Sequence, residues 1–530
     1  MLFASFDFGF GGRISLMYLI LITLSKRSIK PHNKNIMRKM MSNGFILIFV
    51  IFLSILLGRV ESSWGQESEL LCPEGLLPIS EDELNLVWER IKPTDILPNL
   101  RCKDLSGVDL RKTNLQNADL VEVNLTGANL EEVNLRDANL TRANLEEVNL
   151  TRANLTRANL EEVNLKNASI TRANLEEVNL KNANLTEANL YNTRLYGANL
   201  TEANLTETNL AEVNLLMANL HNANLSRANI PTRNLTMTNL TGANLTKANL
   251  FRSGLSGQNL SGQNLTEANL TKVSLPGANL TGANLTRANL TEANLTGVNF
   301  SRATLSNATF SRQNLLNVNL TGANLTGVDL SQVVLRIRSS RGTITTVNLL
   351  EVNFTNANLS GQNLSGANLS GVNLSGANLR GTVLVNTTLT NVNLTGANLT
   401  EANLMKANLI NVTLRKANLR DTYLAKRNFS GMDLSEVNFS GANLTNANLT
   451  KTNLTNANFS GADMTNSDLR VANLIGVNLM NVNIKNANLR RVRNFEQVEG
   501  LCSLTYDKTT IFPHPYSAEK LAKDCKTQPK

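Results

Sequence analysis

The sequence predicts an all-β solenoid, and three observations carry that prediction. A large apolar residue, mostly Leu, stands at every fifth position from Leu105 to Leu335 and again from Leu349 to Leu489. Aromatic residues make up only 5% of the 530-residue chain, too few for several ordinary globular cores. Within each five-residue word the apolar positions lie two apart, as in TRANL at 151–155. Two apart is the strand period, so Ala153 and Leu155 share a face and Asn154 faces away. Thr151 and Arg152 then form a corner. A five-residue period drifts around a 3.6-residue turn, so no helix keeps an apolar stripe. A chain that bends the same way at every word coils, and its backbone pairs with the coils above and below, ~4.8 Å away. Repeats of this kind are settled before domains are counted.

The elements follow in chain order. Residues 45–57, FILIFVIFLSILL, form an apolar run that is short for a membrane span, which needs ~20 residues, but right for a signal-peptide core. Arg38 and Lys39 precede it, and Ser63 and Gly65 suit a cleavage site before Gln66. Residues 37–65 therefore read as a signal peptide, and residues 1–36 as an upstream extension. The other reading is a membrane anchor, in which ISLMYLILITL (14–24) pairs with the second apolar run.

Residues 66–104 read as an N-terminal cap. Ser80 and Glu83 form a capping box, and Leu84, Val87, Trp88 and Ile91 follow at helical spacing. The array occupies 105–335 (47 words) and 349–489 (29 words). Residues 336–348, RIRSSRGTITTVN, break the register and carry Arg336, Arg338 and Arg341. A tight corner or small bulge left by a deletion is the simpler reading; a protruding interaction loop is the other. Gln258, Gln263, Gln313, Gln362, Arg233 and Arg427 stand where other words have Ala or Val. Local bulging or outward flipping is expected there, because a buried amide needs partners and a buried cation needs a charge. Residues 490–530 read as a C-terminal cap with Phe495, Leu501, Tyr506, Ile511 and Phe512 as its apolar content and a last helix from Ser517 to Cys525.

The four cysteines, Cys72, Cys102, Cys502 and Cys525, all lie outside the array. If the array is a rod, its ends are far apart, and a disulfide needs Cα atoms within ~7 Å. Cys72–Cys102 and Cys502–Cys525 are then the pairs that one chain can form, and export would place them in an oxidising compartment. Four buried thiols are the alternative. Neither pair has the spacing of a redox or zinc motif.

The pattern Ala/Val–Asn–Leu–Thr/Ser–X resembles the pentapeptide repeat family, over residues 105–335 and 349–489. The resemblance implies a right-handed quadrilateral β-helix with twenty residues per coil, hence about 19 coils and a length on the order of 90 Å; the end segments read above add small helical, disulfide-pinned caps. The residue before Leu is nearly always Asn here, where the family mixes Asn and Asp. Stacked Asp would repel, whereas Asn can form amide ladders. EEVNL words recur at 131, 146, 161 and 176. With a twenty-residue coil, Glu132 meets Arg152, Arg142 meets Glu162 and Arg157 meets Glu177, whereas a fifteen-residue coil would stack Glu on Glu.

No chemistry is expected: no catalytic residues, no cofactor and no metal. Only His221 and His514 follow the leader, and SGQNLSGQNL at 256–265 opens no helix and is no phosphate loop. Asn-Leu-Thr sequons arise automatically from the repeat. The net charge of +9 falls to +3 over residues 64–530, which argues against nucleic acid. The reading is an exported, non-catalytic rod that binds a protein partner or acts as a spacer in periplasm, thylakoid lumen or extracellular space. It has no membrane contact after signal cleavage, and end-to-end or side-by-side homo-oligomers fit its form. The alternative is a topoisomerase-protecting DNA mimic, as in some family members. That role needs an acidic surface, and residues 105–489 carry 31 Lys and Arg against 26 Asp and Glu.

Overall fold

Nearly all the words described fold alike, and the reason is visible in one of them. Ala153 and Leu155 are 1% and 0% exposed, while the corner residue Arg152 lies in solvent. Arg152 has φ 59°, and the second residue of nearly every other word is also left-handed. That single left-handed residue reverses the chain direction without ending the extended segment. Asn154 is the one residue per word that bridges to neighbouring coils, to Asn134 before it and Asn174 after it. Strands are therefore reduced to single parallel bridges.

The computed structural model describes residues 72, 75–89, 99–232, 235–311, 315, 317–338, 344–346 and 349–526. They belong to a single compact unit, residues 72–530. The leader, including both apolar runs, lies outside them, as do Arg233, Gln313, Arg341 and Ile91.

The bridges fix the coil length. Asn124 pairs with Asn144, Asn129 with Asn149, Asn134 with Asn154 and Asn139 with Asn159. Four successive words thus each pair with the word twenty residues on, which defines four sides. Leu155 donates its N–H to the carbonyl of Asn174 at 2.7 Å, and Asn154 donates to Val133 at 2.9 Å. Columns of Leu, with Ala or Val beside them, form one continuous core. Phe439 and Phe459, also twenty apart, stack with ring centroids 4.8 Å apart, which is the coil spacing.

At the start, β1 (Leu77–Pro78) runs parallel to β2 (Lys103–Asp104). Helix α1 (Glu81–Glu89) opens on the expected capping box. The Ser80 N–H donates to Glu83 Oε2 at 2.9 Å, and the Glu83 N–H donates to Ser80 Oγ at 3.2 Å. Val87 is buried in the array's core, but Trp88 is 49% exposed. It sits at the rim because its indole N–H donates to the Asp109 carbonyl at 3.0 Å.

The register break departs from the simpler expectation. β3 (Arg336–Arg338) and β4 (Ile344–Thr346) pair antiparallel. Across the break Asn324 pairs with Asn353, a separation of 29 instead of 20. The coil at the break thus carries nine extra residues, with the antiparallel pair β3–β4 among them, and the repeat resumes in phase.

The final coil loosens by one residue per side. Asn473 pairs with Arg493, Asn478 with Glu499, Asn483 with Thr505 and Asn488 with Ile511. Short 3-10 turns at Phe495–Gln497 and Leu501–Ser503 take up the extra residues. Phe495, Tyr506, Phe512 and Tyr516 then pack edge to face. Helix α2 (Ala518–Lys526) starts where expected, with the Lys520 N–H donating to Ser517 Oγ at 3.1 Å, and buries Leu521. Ile511 is 47% exposed; it serves through its backbone rather than its side chain.

Candidate functional site

The structure joins Cys72 to Cys102 and Cys502 to Cys525, with Cα atoms 5.8 and 5.3 Å apart. Glu122 Oε2 lies 3.0 Å from the Cys72 sulfur. Cys72, Cys102 and Glu122 are also the group of potential metal donors brought together among the described residues. With the two sulfurs bonded to each other, the trio offers no thiolate to a cation.

Arg336 and Arg338 lie on β3, so they share one strand of the excursion, while Arg341 lies outside the described residues.

The asparagines do not simply face out. Asn154 is half-buried; its amide donates to Asn134 Oδ1 at 3.1 Å, and its own Oδ1 accepts from the Thr156 N–H at 3.2 Å. Asn134 in turn donates to Asn114 Oδ1 at 2.9 Å. Each side chain therefore both donates along the column and holds its own corner.

Charges outside the ladder alternate along columns. Glu132 lies between Lys112 (3.8 Å) and Arg152 (3.3 Å), and Arg142 between Glu122 (3.7 Å) and Glu162 (2.9 Å). The third expected pair is different. Arg157 makes a two-pronged contact with Asp137, at 2.8 and 2.9 Å, in the preceding coil. A corner side chain has a neighbour on both sides, and the fork-to-carboxylate geometry with Asp137 prevails over a single contact with Glu177. That contact raises the Arg157 pKa and lowers that of Asp137.

The polar residues in the Ala slot overturn the expectation of outward flipping. Gln258 and Gln263 are 6% and 4% exposed. Gln258 donates its amide to the Leu235 carbonyl, and Gln362 donates to Leu330 at 2.7 Å and Ser331 at 3.0 Å. Arg427 donates Nη1 to the Ala407 carbonyl at 2.8 Å. Each of these three side chains takes a backbone carbonyl of the coil before. The cost is local: Asn239 and Asn259, Asn408 and Asn428 are not bridged. Gln263 Oε1 and Arg427 Nε are buried without hydrogen-bond partners. Burial pushes the Arg427 guanidinium below its ordinary pKa. Beside it lies a cleft of about 570 Å³, lined by residues 407–412, 426–428 and 430–432. Phe429, between the last two stretches, stays fully buried in the core.

The family model for pentapeptide repeats matches residues 99–127, 128–167, 164–201, 203–230, 264–302, 293–332, 423–461, 433–470 and 457–493. The model for a pentapeptide repeat region matches residues 347–424. The chain belongs to the pentapeptide repeat family. The fold of such proteins is a right-handed, four-sided β-helix, in agreement with the twenty-residue pairing.

Among solved pentapeptide repeat structures, the chain is similar to HetL, involved in heterocyst differentiation regulation in the cyanobacterium Nostoc. Identity is 25% over 59% of this chain and 89% of HetL, with a TM-score of 0.13. It is also similar to a pentapeptide repeat protein of the Arabidopsis thaliana thylakoid lumen, at 32% identity over 23% of this chain and 68% of that one, TM-score 0.13. QnrB1, a plasmid-mediated fluoroquinolone resistance protein, aligns at 14% identity over 48% and 91% of the two chains, TM-score 0.15. Family membership rests on the repeat models and not on these superpositions. Comparison with curated protein sequences finds no match.

Proposed function

We propose that this pentapeptide repeat protein is an exported, non-catalytic rod of about 19 coils that presents a surface to a protein partner or holds two partners apart. The observation that carries the reading is the pair of disulfides, one tied to each end segment. Such bridges persist in oxidising compartments, and their placement supports the end segments as caps over otherwise open coil edges. Family membership fits a repeat scaffold. The half-buried asparagine amides are committed to the ladder, so the exposed corners are the parts available to a partner.

The test is fractionation of the native cell followed by thiol titration of the denatured, unreduced protein. Recovery from an exported compartment, a start near Gln66 and no free thiol are expected. Four free thiols in cytoplasmic material would overturn the reading. A DNA-mimicking role draws no support from the alternating charge columns; inhibition or protection in a gyrase supercoiling assay would reinstate it.

A further inference from the structure

Among the described residues, the coil-to-coil ladder opens on three consecutive faces between the coils of residues 403–413 and 423–433. Asn398 pairs with Asn418, and Asn418 with Asn438. No bridge joins Asn403 to Tyr423, Asn408 to Asn428 or Thr413 to Asp433, although each of these residues pairs normally on its other side. The equivalent backbone contacts elsewhere are short: Leu399 donates to Asn418, and Leu419 to Asn438, both at 2.7 Å. Among the described residues, the N–H groups of Leu404, Leu409 and Leu414 have no such backbone acceptor. The Arg427 guanidinium is the wedge, because it occupies the Ala407 carbonyl that the Asn428 N–H would otherwise take.

The opening has a definite chemistry. At the cleft itself, one lip carries the free donor of Leu409 and the other the carbonyl of Asn428 that would have received it; the same contact is missing on the faces before and after, at Leu404 and Leu414. Met405, Ile410 and Tyr423 stand 41%, 52% and 48% exposed beside it, and Leu409, a core-column residue, is only partly buried. No carboxylate lines the cleft, while Lys426 and Arg427 do. Its volume of about 570 Å³ falls within the range of ligand pockets, roughly 300–1,000 Å³.

We propose that this cleft accepts an extended peptide segment of another protein, paired by its backbone to the open coil edges and carrying an acidic side chain onto Arg427. Charge complementarity decides the occupant: the cations Lys426 and Arg427 line the cleft with no acid among its lining, which selects a carboxylate, and an open strand edge selects an extended backbone. The proposal rests on the reading of the chain as a binding scaffold and names the partner's chemistry.

The experiment uses the full mature chain and two synthetic peptides, acetyl-Thr-Val-Glu-Val-Thr-Val-amide and its Gln counterpart. Isothermal titration calorimetry reads binding, and amide hydrogen exchange reads the lips. The amides of Leu404, Leu409 and Leu414 are expected to exchange fast in the free protein, and that of Leu409, which lines the cleft, slowly with the Glu peptide. That peptide is expected to bind about ten- to a hundredfold more tightly than the Gln peptide, the worth of a hydrogen bond to a charged group. Arg427→Gln keeps a wedge of the kind seen at Gln258 and Gln362, so the lips stay open and the preference for Glu disappears. Arg427→Ala restores the usual residue, so the lips are protected without peptide and neither peptide binds. Slow exchange in the free protein, no protection by the Glu peptide, or equal affinities in the unaltered protein would each overturn the proposal. Protection that rises with protein concentration alone would assign the cleft to a second copy and overturn it too. Thiol state and compartment are read separately, so failure here leaves the scaffold reading standing.

Discussion

Asn154 shows what one residue of the word must do. Its amide hydrogens reach the coil before, and its oxygen holds the N–H of its own corner. Asp can do only the second. Asn154→Asp also sets a carboxylate against Asn134 Oδ1, two acceptors face to face. A loss of about 1–3 kcal/mol, the cost of an unmatched half-buried polar group, is expected in chemical denaturation; an unchanged midpoint would show that the ladder contributes nothing. Gln263 makes the opposite case. Its Oε1 is buried without a partner, and the Asn264 N–H lacks the Ala243 carbonyl that its position would give it. Gln263→Ala is therefore expected to stabilise the chain by about 1–3 kcal/mol in the same measurement. Destabilisation would mean that the amide has a use in the fold.

The C-terminal segment is held by polar groups as well as by its aromatic cluster. Asp507 accepts from the Thr509 side chain first, and also from the backbone N–H of Asn486 and of Thr509 and from the Thr510 hydroxyl. These contacts lower its pKa from 3.8 to about 2. The folded value is the lower one, so Asp507 contributes stability above its unfolded pKa and loses it as pH falls from about 4 towards about 2. Near-ultraviolet circular dichroism of the neighbouring Tyr506 and Phe512 is expected to weaken over that window, and Asp507→Asn should remove the dependence. A signal as steep in the variant would assign the change to other carboxylates.

Contacts in a solenoid run between neighbouring coils, so damage at an end stays there. Reduction of Cys502–Cys525 removes roughly 3 kcal/mol of loop restraint. Hydrogen exchange is expected to rise over residues 495–526, with the Leu columns around Leu155 and Leu285 still protected. Exchange rising uniformly along the array would show instead that the ends hold the whole molecule. The alternating charge columns act over the same short range. Each exposed pair is worth ~0–1 kcal/mol, and their main effect is to keep like charges from stacking.

The sequence by itself determined the inward Leu and Ala columns and the corners, through the five-residue word, and the capping box at Ser80 and the cysteine pairs, through the end segments. Each depends on contacts that repeat with the sequence or lie close along it. The Asn ladder and two of three cross-coil ion pairs were legible once the coil length was set at twenty. The left-handed corner residue had a signal, the frequent Gly and Asn at the second place of the word, but Arg, Glu and Lys at the same place obscured it. Only the tertiary structure decided that Arg157 turns to Asp137, that β3 and β4 pair antiparallel at the break, and that Gln258, Gln263 and Arg427 turn inward. The physical reason is common to all three. Each outcome depends on which partner across the coil spacing is within reach, and a word in one coil does not specify how far the next coil will give way to a side chain that is too long for its slot.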